Sequence, residues 1–227
     1  MSLLKSNSVQ IGQSATATQN FTLSVPSSPD GTIKLARGNS GATTADVLSV
    51  ASDGRLLFNK PPIGSILQVL QTVKQDTFTT SSTSYADVTG LSATITPSSS
   101  SSKIFVQIFM PTTNLGQQGT YMRMTRNGST IAGSLSTSGS ATGTANAVQA
   151  SHGFIPSGAS NMFTVMPLTI AYLDSPSSTS PITYQAQTRT GASGTVYVNY
   201  QGAGSTNNNN ADYGYFVSTI TLMEIAG

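Results

Sequence analysis

The chain has 227 residues, with no Cys, no Trp, one His and one Glu, and only 8% of it is charged, against roughly 25% in an average soluble domain. That inventory excludes disulfide scaffolds and thiolate metal sites and leaves little for general acid–base chemistry, which draws mainly on His, Asp and Glu. The formal net charge of +2 comes from Lys5, Lys34, Arg37, Arg55, Lys60, Lys74, Lys103, Arg123, Arg126 and Arg189 against eight acids, a scatter with no run able to neutralise a row of phosphates, so nucleic-acid binding is not supported.

The first block runs from Met1 to about Lys60 and reads as short strands. Asn20–Val25 alternates through Phe21, Leu23 and Val25, and Pro26 to Gly31 breaks it with Pro and Asp-Gly turn chemistry. Thr32–Ala36 alternates through Ile33 and Leu35, and Gly38–Gly41 turns again. Asp46–Ala51 and Arg55–Phe58 flank Ser52-Asp53-Gly54, a short hairpin signal. Pro61-Pro62-Ile63-Gly64 is the linker, because two prolines fix an extended segment and forbid regular pairing. Residues 61–75 thus hold the linker and a first strand. Ile66–Val73 fits both a helical stripe through Ile66, Val69, Leu70 and Val73 and a strand alternation. The β character of its surroundings favours the strand.

Residues 76–227 form the second block. Its strands are read at Asp76–Thr80, Tyr85–Val88, Leu91–Thr96, Lys103–Met110, Thr120–Arg126, Met162–Leu173, Ile182–Thr188, Thr195–Tyr200 and Tyr215–Ile225. Asn127-Gly128 is a hairpin turn leading into Thr130–Ala132. About nine short strands in roughly 150 residues indicate an antiparallel β-sandwich or jelly roll. Gly133–Ala150 and Gly202–Asn210 read as long loops, the kind of segment that tends to carry function. The hydrophobic fraction, 37%, is low for covering a core alone, and oligomerisation is one remedy. Apolar alternation recurs too often for the chain to be disordered. No signal peptide and no stretch of about 18–20 apolar residues is visible, so the chain is expected to be made in the cytoplasm without membrane insertion.

Candidate chemistry is thin. His152 follows Ser151, with Asp174 or Asp212 as orienting acids, but no Gly-x-Ser-x-Gly elbow is present. His152 therefore reads as a hydrogen-bonding residue of a loop or strand start. A glycosidase needs two facing carboxylates. Of Asp76, Asp87, Asp174, Asp212 and Glu224, Asp87 and Asp174 read as loop caps. Glu224 reads as a solvent-facing strand residue or a partner of Arg189 or Arg123. No metal, cofactor or enzymatic activity is expected. Tyr is more suggestive, since it offers a flat apolar face and a hydroxyl. Tyr197, Tyr200, Tyr213 and Tyr215 bracket the Asn-rich loop, so Tyr197, Tyr200, Asn207, Asn208, Asn209, Asn210 and Tyr213 are a candidate contact for neutral sugars. Half-buried strand tyrosines are the plainer alternative. The run from Met162 to Leu173 is too apolar for an exposed strand, and Met162, Phe163, Val165, Leu168, Ile170 and Tyr172 are the candidate subunit interface.

Ala17-Thr-Gln-Asn-Phe-Thr-Leu-Ser-Val-Pro26 and Pro29-Asp-Gly-Thr-Ile-Lys-Leu-Ala-Arg-Gly38 resemble an N-terminal module of tailed-bacteriophage virion proteins, particularly from phages of aquatic bacteria. Residues 67–80 and 85–97, Ser102-Lys-Ile-Phe-Val106, Arg126-Asn-Gly128 and Ser218-Thr-Ile-Thr-Leu-Met-Glu-Ile225 resemble the same group. The resemblance implies a homotrimeric fibre, spike or collar appendage located in the virion. Its N-terminal part would dock to other virion proteins through Phe21, Leu23, Ile33 and Leu35, and its distal β-sandwich would recognise host-surface glycan. A capsid decoration or collar role without a ligand is the alternative. The strand pattern is also similar to trimeric jelly rolls of the complement-C1q or tumour-necrosis-factor type. The chain departs from long fibres in lacking a β-helical, collagen-like or coiled-coil shaft.

Overall fold

The computed structural model describes residues 8–13, 15–16, 20–25, 33–39, 42–58, 61–115, 119–131, 149–152, 165–201 and 214–227. The described residues form strands and turns with no helix, and the chain divides into two units, Met1–Pro62 and Ile63–Gly227.

In the first unit, β1 (Ser8–Ile11), β2 (Phe21–Ser24), β3 (Ile33–Asn39), β4 (Ala42–Val50) and β5 (Leu56–Phe58) pair in chain order as an antiparallel meander. Side chains opposite one another across a ladder share a face. The register Leu23↔Leu35↔Leu48↔Phe58, with Ile33↔Val50↔Leu56, therefore gathers the apolar residues on one face. Phe21, Leu23 and Ile33 remain exposed there, and Leu35 is half-buried. Gly54, at φ +85°, makes the β4–β5 turn, where the Asp53 carboxylate accepts from Arg55 N (3.1 Å) and Nε (2.6 Å).

The second unit is a two-layer sandwich. One sheet contains β6 (Ile66–Lys74), β7 (Phe78–Thr80), β9 (Lys103–Leu115), β13 (Met166–Asp174), β15 (Thr195–Val198) and β16 (Ser218–Ile225). Phe109 pairs with Thr169 of β13 and Thr219 of β16, while Thr112 pairs with Met166 of β13 and Val198 of β15. β15 and β16 therefore lie end to end on one edge of β9, with β13 on the other. β6 and β7 continue the row outside β16 and β15. The second sheet contains β8 (Ala86–Ile95), β14 (Ile182–Thr190) and β10 (Thr120–Arg126), with β11 (Ser129–Thr130) and β12 (Gln149–His152) sharing the far edge of β10. With each end-to-end pair taken as one strand, the strand orders of the two sheets are 1-8-3-6 and 2-7-4-5, the crossed order of a jelly roll.

The core follows from period-2 alternation. Ile104, Val106, Ile108 and Met110 of β9 meet Ile182, Tyr184 and Ala186 of β14 and Met122 and Met124 of β10 between the sheets. Leu168 and Ile170 of β13 lie in this core, and Tyr172 packs against it. These three expected interface residues are therefore turned inward, because the alternation of β13 sends Pro167, Thr169, Ala171 and Leu173 outward instead. Met162 and Phe163 lie outside the described residues.

Several details refine the sequence reading. Ile66–Lys74 is a strand, paired with β16 from Ser218 to Ile225. The segments read as two strands around Gly90 are one strand, β8, with a bulge at Gly90 (φ +81°) where its register against β14 slips. Gln185 fills the bulge, its Nε2 donating to Val88 O (2.9 Å) and Leu91 O (3.2 Å). β9 runs through Pro111, which faces Pro167 on β13, where neither ring has to donate across the pair. Asn127 and Gly128, both at positive φ, form the expected two-residue hairpin, Arg126↔Ser129.

The junction of β15 and β16 is held by Asn199, fully buried at φ +62°. Its main chain donates to Pro111 O (3.0 Å) and accepts from Phe216 N (3.1 Å). Its side-chain Nδ2 donates to Lys74 O (2.9 Å) and Asp76 O (3.1 Å), and its Oδ1 accepts from Ser218 Oγ (2.6 Å). One residue thereby ties β6, the approach to β7, β9 and β16 together. Asn tolerates the left-handed conformation better than other side chains. Asn199→Ala leaves buried carbonyls unpaired, at about 1–3 kcal/mol each. It is expected to cost about 3–4 kcal/mol in denaturant unfolding of the full chain, and Asn199→Gly, which relieves only the backbone, is expected to recover less than half of that. A loss below about 1 kcal/mol for Asn199→Ala would contradict this role.

Candidate functional site

Three tyrosines converge where the chain leaves and re-enters the first sheet around 202–213. Tyr197 stands on β15, Tyr200 follows the Asn199 junction, and Tyr215 bridges to Tyr200, while Gln201 N donates to Gly214 O (2.9 Å). The Tyr197 and Tyr200 ring centroids are 6.3 Å apart at 57°, and those of Tyr200 and Tyr215 are 5.2 Å apart at 36°, spacings typical of interacting aromatic pairs. Tyr215 is 73% exposed. It borders an open groove of about 440 Å³ lined also by Phe109, Pro111, Val165, Pro167, Phe216 and Val217. Of the residues expected at a sugar contact, Tyr197 and Tyr200 are thus brought together. Asn207, Asn208, Asn209, Asn210 and Tyr213 lie outside the described residues.

The groove opens onto the outer face of the first sheet. Cross-strand rows on that face read Val69–Met223–Phe105–Leu173 and Val73–Thr219–Phe109–Thr169, separated by Gln71–Thr221–Gln107–Ala171. Val69 is 54% exposed and Phe109 40%. Outward residues of the second sheet are Asp87, Ser92 and Thr94 on β8, Thr183, Gln185, Gln187 and Arg189 on β14, and Tyr121 and Arg123 on β10. One outer face carries large apolar side chains on either side of a Gln- and Thr-bearing row, and the other is polar.

The remaining reactive residues are engaged in structure. Asp174 ends β13, is buried, and accepts from Arg126 Nη1 (3.0 and 2.8 Å) and Tyr184 Oη (2.7 Å). It is a buried ion-pair partner and not a loop cap. Burial, and then the Asp174 carboxylate, push the Tyr184 phenol well above its usual range. Asp87 lies within β8 and accepts from Gln187 Nε2 (2.7 Å), so it too is a strand residue. His152 is the last residue of β12, opposite Thr120. Among the described residues, no group of three His, Asp or Glu is placed to hold a metal ion.

Glu224 corrects the sequence reading. It is fully buried and contacts neither arginine expected for it, because its phase on β16 is the inward one shared with Ile220 and Leu222. Its carboxylate accepts from Gln68 Nε2 (2.6 Å), Ser98 N (2.7 Å) and Ser98 Oγ (2.7 Å). Burial pushes its pKa up, and these hydrogen bonds outweigh it and hold the group below its usual 4.5.

No protein-family model matches the chain, and no curated protein matches it. Among solved structures, it is similar to a chain in the structure of the infectious bursal disease virus Gx strain, with a TM-score of 0.32 and 14% identity over 92% of this chain and 48% of the other. It is also similar to a chain of the infectious bursal disease virus VP2 subviral particle, with a TM-score of 0.29 and 13% identity over 92% and 48%. The chain spans about half the length of either viral chain.

The depressed pKa of Glu224 has a definite sign. Its contribution is complete above the unfolded value near 4.5 and is lost as pH falls through the lower folded value. Stability measured by denaturant titration from pH 7 to pH 3 is expected to fall more steeply below about pH 4.5 in the parent than in Glu224→Gln, which is also weaker at pH 7. Parallel curves would contradict the assignment.

Proposed function

We propose that the chain is a self-assembling structural protein of a virus particle, of the phage fibre or spike kind. In this reading its second unit binds copies of itself and contacts host-surface glycan, and its first unit docks to other virion proteins. The observation that carries the reading is the contrast between the two outer faces of the sandwich. Large apolar side chains gathered on the outside of a single chain mark an interaction surface, and the apolar-rich rows Val69–Met223–Phe105–Leu173 and Val73–Thr219–Phe109 suit a second copy. Three copies are the closed arrangement that the phage-protein resemblance implies, and closed rotational symmetry is the usual form of homo-oligomers. The apolar face holding Phe21, Leu23, Ile33 and Leu35 suits attachment to a further virion protein.

The tyrosine end of the same sheet supports the glycan part. An exposed ring at Tyr215, backed by Tyr200, offers a flat surface to the C–H face of a sugar and hydroxyls to its oxygens, and several copies multiply weak contacts by avidity. The alternative, a capsid decoration or collar protein, shares the apolar face and differs in having no ligand.

Two measurements test this. Sedimentation of the full chain at micromolar concentration is expected to give a trimer, and the double variant Val69→Glu with Met223→Glu a folded monomer. A monomeric parent would overturn self-assembly. On an array of neutral oligosaccharides, Tyr215→Ala is expected to weaken binding about tenfold, equivalent to about 1.4 kcal/mol. A trimer that binds no saccharide would leave the decoration reading in place.

A further inference from the structure

The outer face of the second sheet carries an ordered arrangement of rings and cations that neither the fold nor the apolar face requires. Tyr121 on β10 stands opposite Arg189 on β14, and Arg123 opposite Gln187. The Arg189 guanidinium lies over the Tyr121 ring at 4.0 Å from its centroid and over Tyr85 at 5.2 Å, while that of Arg123 lies over Tyr85 at 4.2 Å. All four side chains are half-buried, so their planes are fixed while their edges reach solvent.

From this geometry we infer that the Arg123–Arg189–Tyr85–Tyr121 patch binds an anionic saccharide, a sugar unit bearing a carboxylate or a sulfate, on the host-surface polysaccharide. The inference rests on the glycan-binding reading above and names a second contact for it, on the opposite sheet. Guanidinium planes present forked N–H donors that match carboxylate and sulfate oxygens, and stacking on a ring leaves those edges free. Here the rings occupy the faces, and the polar partners engage few of the donors. Arg123 Nε donates to Gln187 Oε1 (2.6 Å), and Arg189 Nη1 donates to Thr190 O (3.1 Å). Neither guanidinium forms an ion pair among the described residues.

Among the described residues, Asp87 is the one carboxylate on this face. It accepts from Gln187 Nε2 (2.7 Å), so Gln187 turns its carbonyl toward Arg123 and holds that guanidinium in place. The acid repels an anion arriving from the β8 side and leaves the approach over Tyr121 and Arg189. The rest of the outer face is Ser, Thr and Gln, which can bond sugar hydroxyls. This face lies on the opposite sheet from the apolar rows proposed above to meet further copies. A chain with only ten cations in 227 residues brings two of them together here, beside aromatic platforms.

The test is binding of the full chain to an array of paired oligosaccharides: glucose against glucuronate units, and galactose against galactose-6-sulfate units. Carboxylated or sulfated members are expected to bind at least tenfold more tightly than their neutral partners. That preference is expected to weaken severalfold between 50 mM and 300 mM salt and to disappear in Arg189→Gln and Arg123→Gln. Whichever anionic arm binds identifies the group recognised. Asp87→Asn, which removes the local negative charge, is expected to strengthen anionic binding severalfold, a gain that a misfolded variant would not give. Arg189→Gln must keep the parent's unfolding midpoint within a few degrees; otherwise Tyr121 and Tyr85 ring resonances, titrated with the same oligosaccharides, replace it, and anionic members alone are expected to shift them. Equal binding of neutral and anionic members, or an anionic preference untouched by Arg189→Gln, overturns the inference. If Tyr215→Ala still weakens neutral binding about tenfold in that case, the glycan reading survives. Binding of no saccharide overturns both.

Discussion

The sandwich depends on one buried asparagine. In the first sheet two strand positions are each made of two short pieces: β15 and β16 lie end to end against the long strand β9, and β6 and β7 continue the row outside them. Where the pieces meet, the regular pairing of β15 and β16 is interrupted, and buried polar groups left unpaired there would be costly. Asn199 supplies partners to main-chain groups of Lys74, Asp76, Pro111 and Phe216, in a left-handed conformation that few other residues adopt. The same junction fixes the directions from which Tyr197, Tyr200 and Tyr215 enter their cluster, so the aromatic end of the sheet is a product of the same constraint.

The second organising fact is how a chain poor in apolar residues distributes them. Much of the interior near the β15 end is lined by Thr112, Thr120, Thr188 and Thr190, all buried, with Thr112 bonded to Met166 O and Thr188 to Tyr121 O. Val69, Val73, Phe105, Phe109 and Met223 meanwhile stand on an outer face. A sequence short of core material does not place large apolar side chains outside for the stability of the single chain, because their burial there contributes only on association. This arrangement underlies the self-assembly reading, and the polar, arginine- and tyrosine-bearing second sheet is then the face presented outward.

Period-2 alternation and turn chemistry made the fold class legible in the sequence, along with most strands. Thr120–Arg126 and its Asn127-Gly128 turn were readable to the residue, because a two-residue turn fixes register locally. The bulge at Gly90 and the passage of β9 through Pro111 were not, since each depends on a distant partner, Gln185 in one case and Pro167 with Asn199 in the other. The direction in which strand residues face was the main loss. Leu168 and Ile170 are apolar either way, and Glu224 reads as a surface residue until its inward phase and its bonds to Ser98 and Gln68 are seen. The Arg–Tyr patch was invisible for the same reason: Tyr85, the Tyr121–Arg123 segment and Arg189 are far apart in the chain, and the β10–β14 and β14–β8 registers make them neighbours. Tyr197 and Tyr200 were legible as a pair because they lie three residues apart.

The central claim is that the apolar outer face of the first sheet is buried between copies while the second sheet stays open. Hydroxyl-radical footprinting of the native full chain, read residue by residue in a mass spectrometer, tests it most directly. The account predicts strong protection of Met223, Phe105 and Phe109 that is lost on dilution, with Tyr85 and Tyr121 oxidised throughout. Oxidation of Phe109 and Met223 at a rate set by single-chain exposure at every concentration would contradict it.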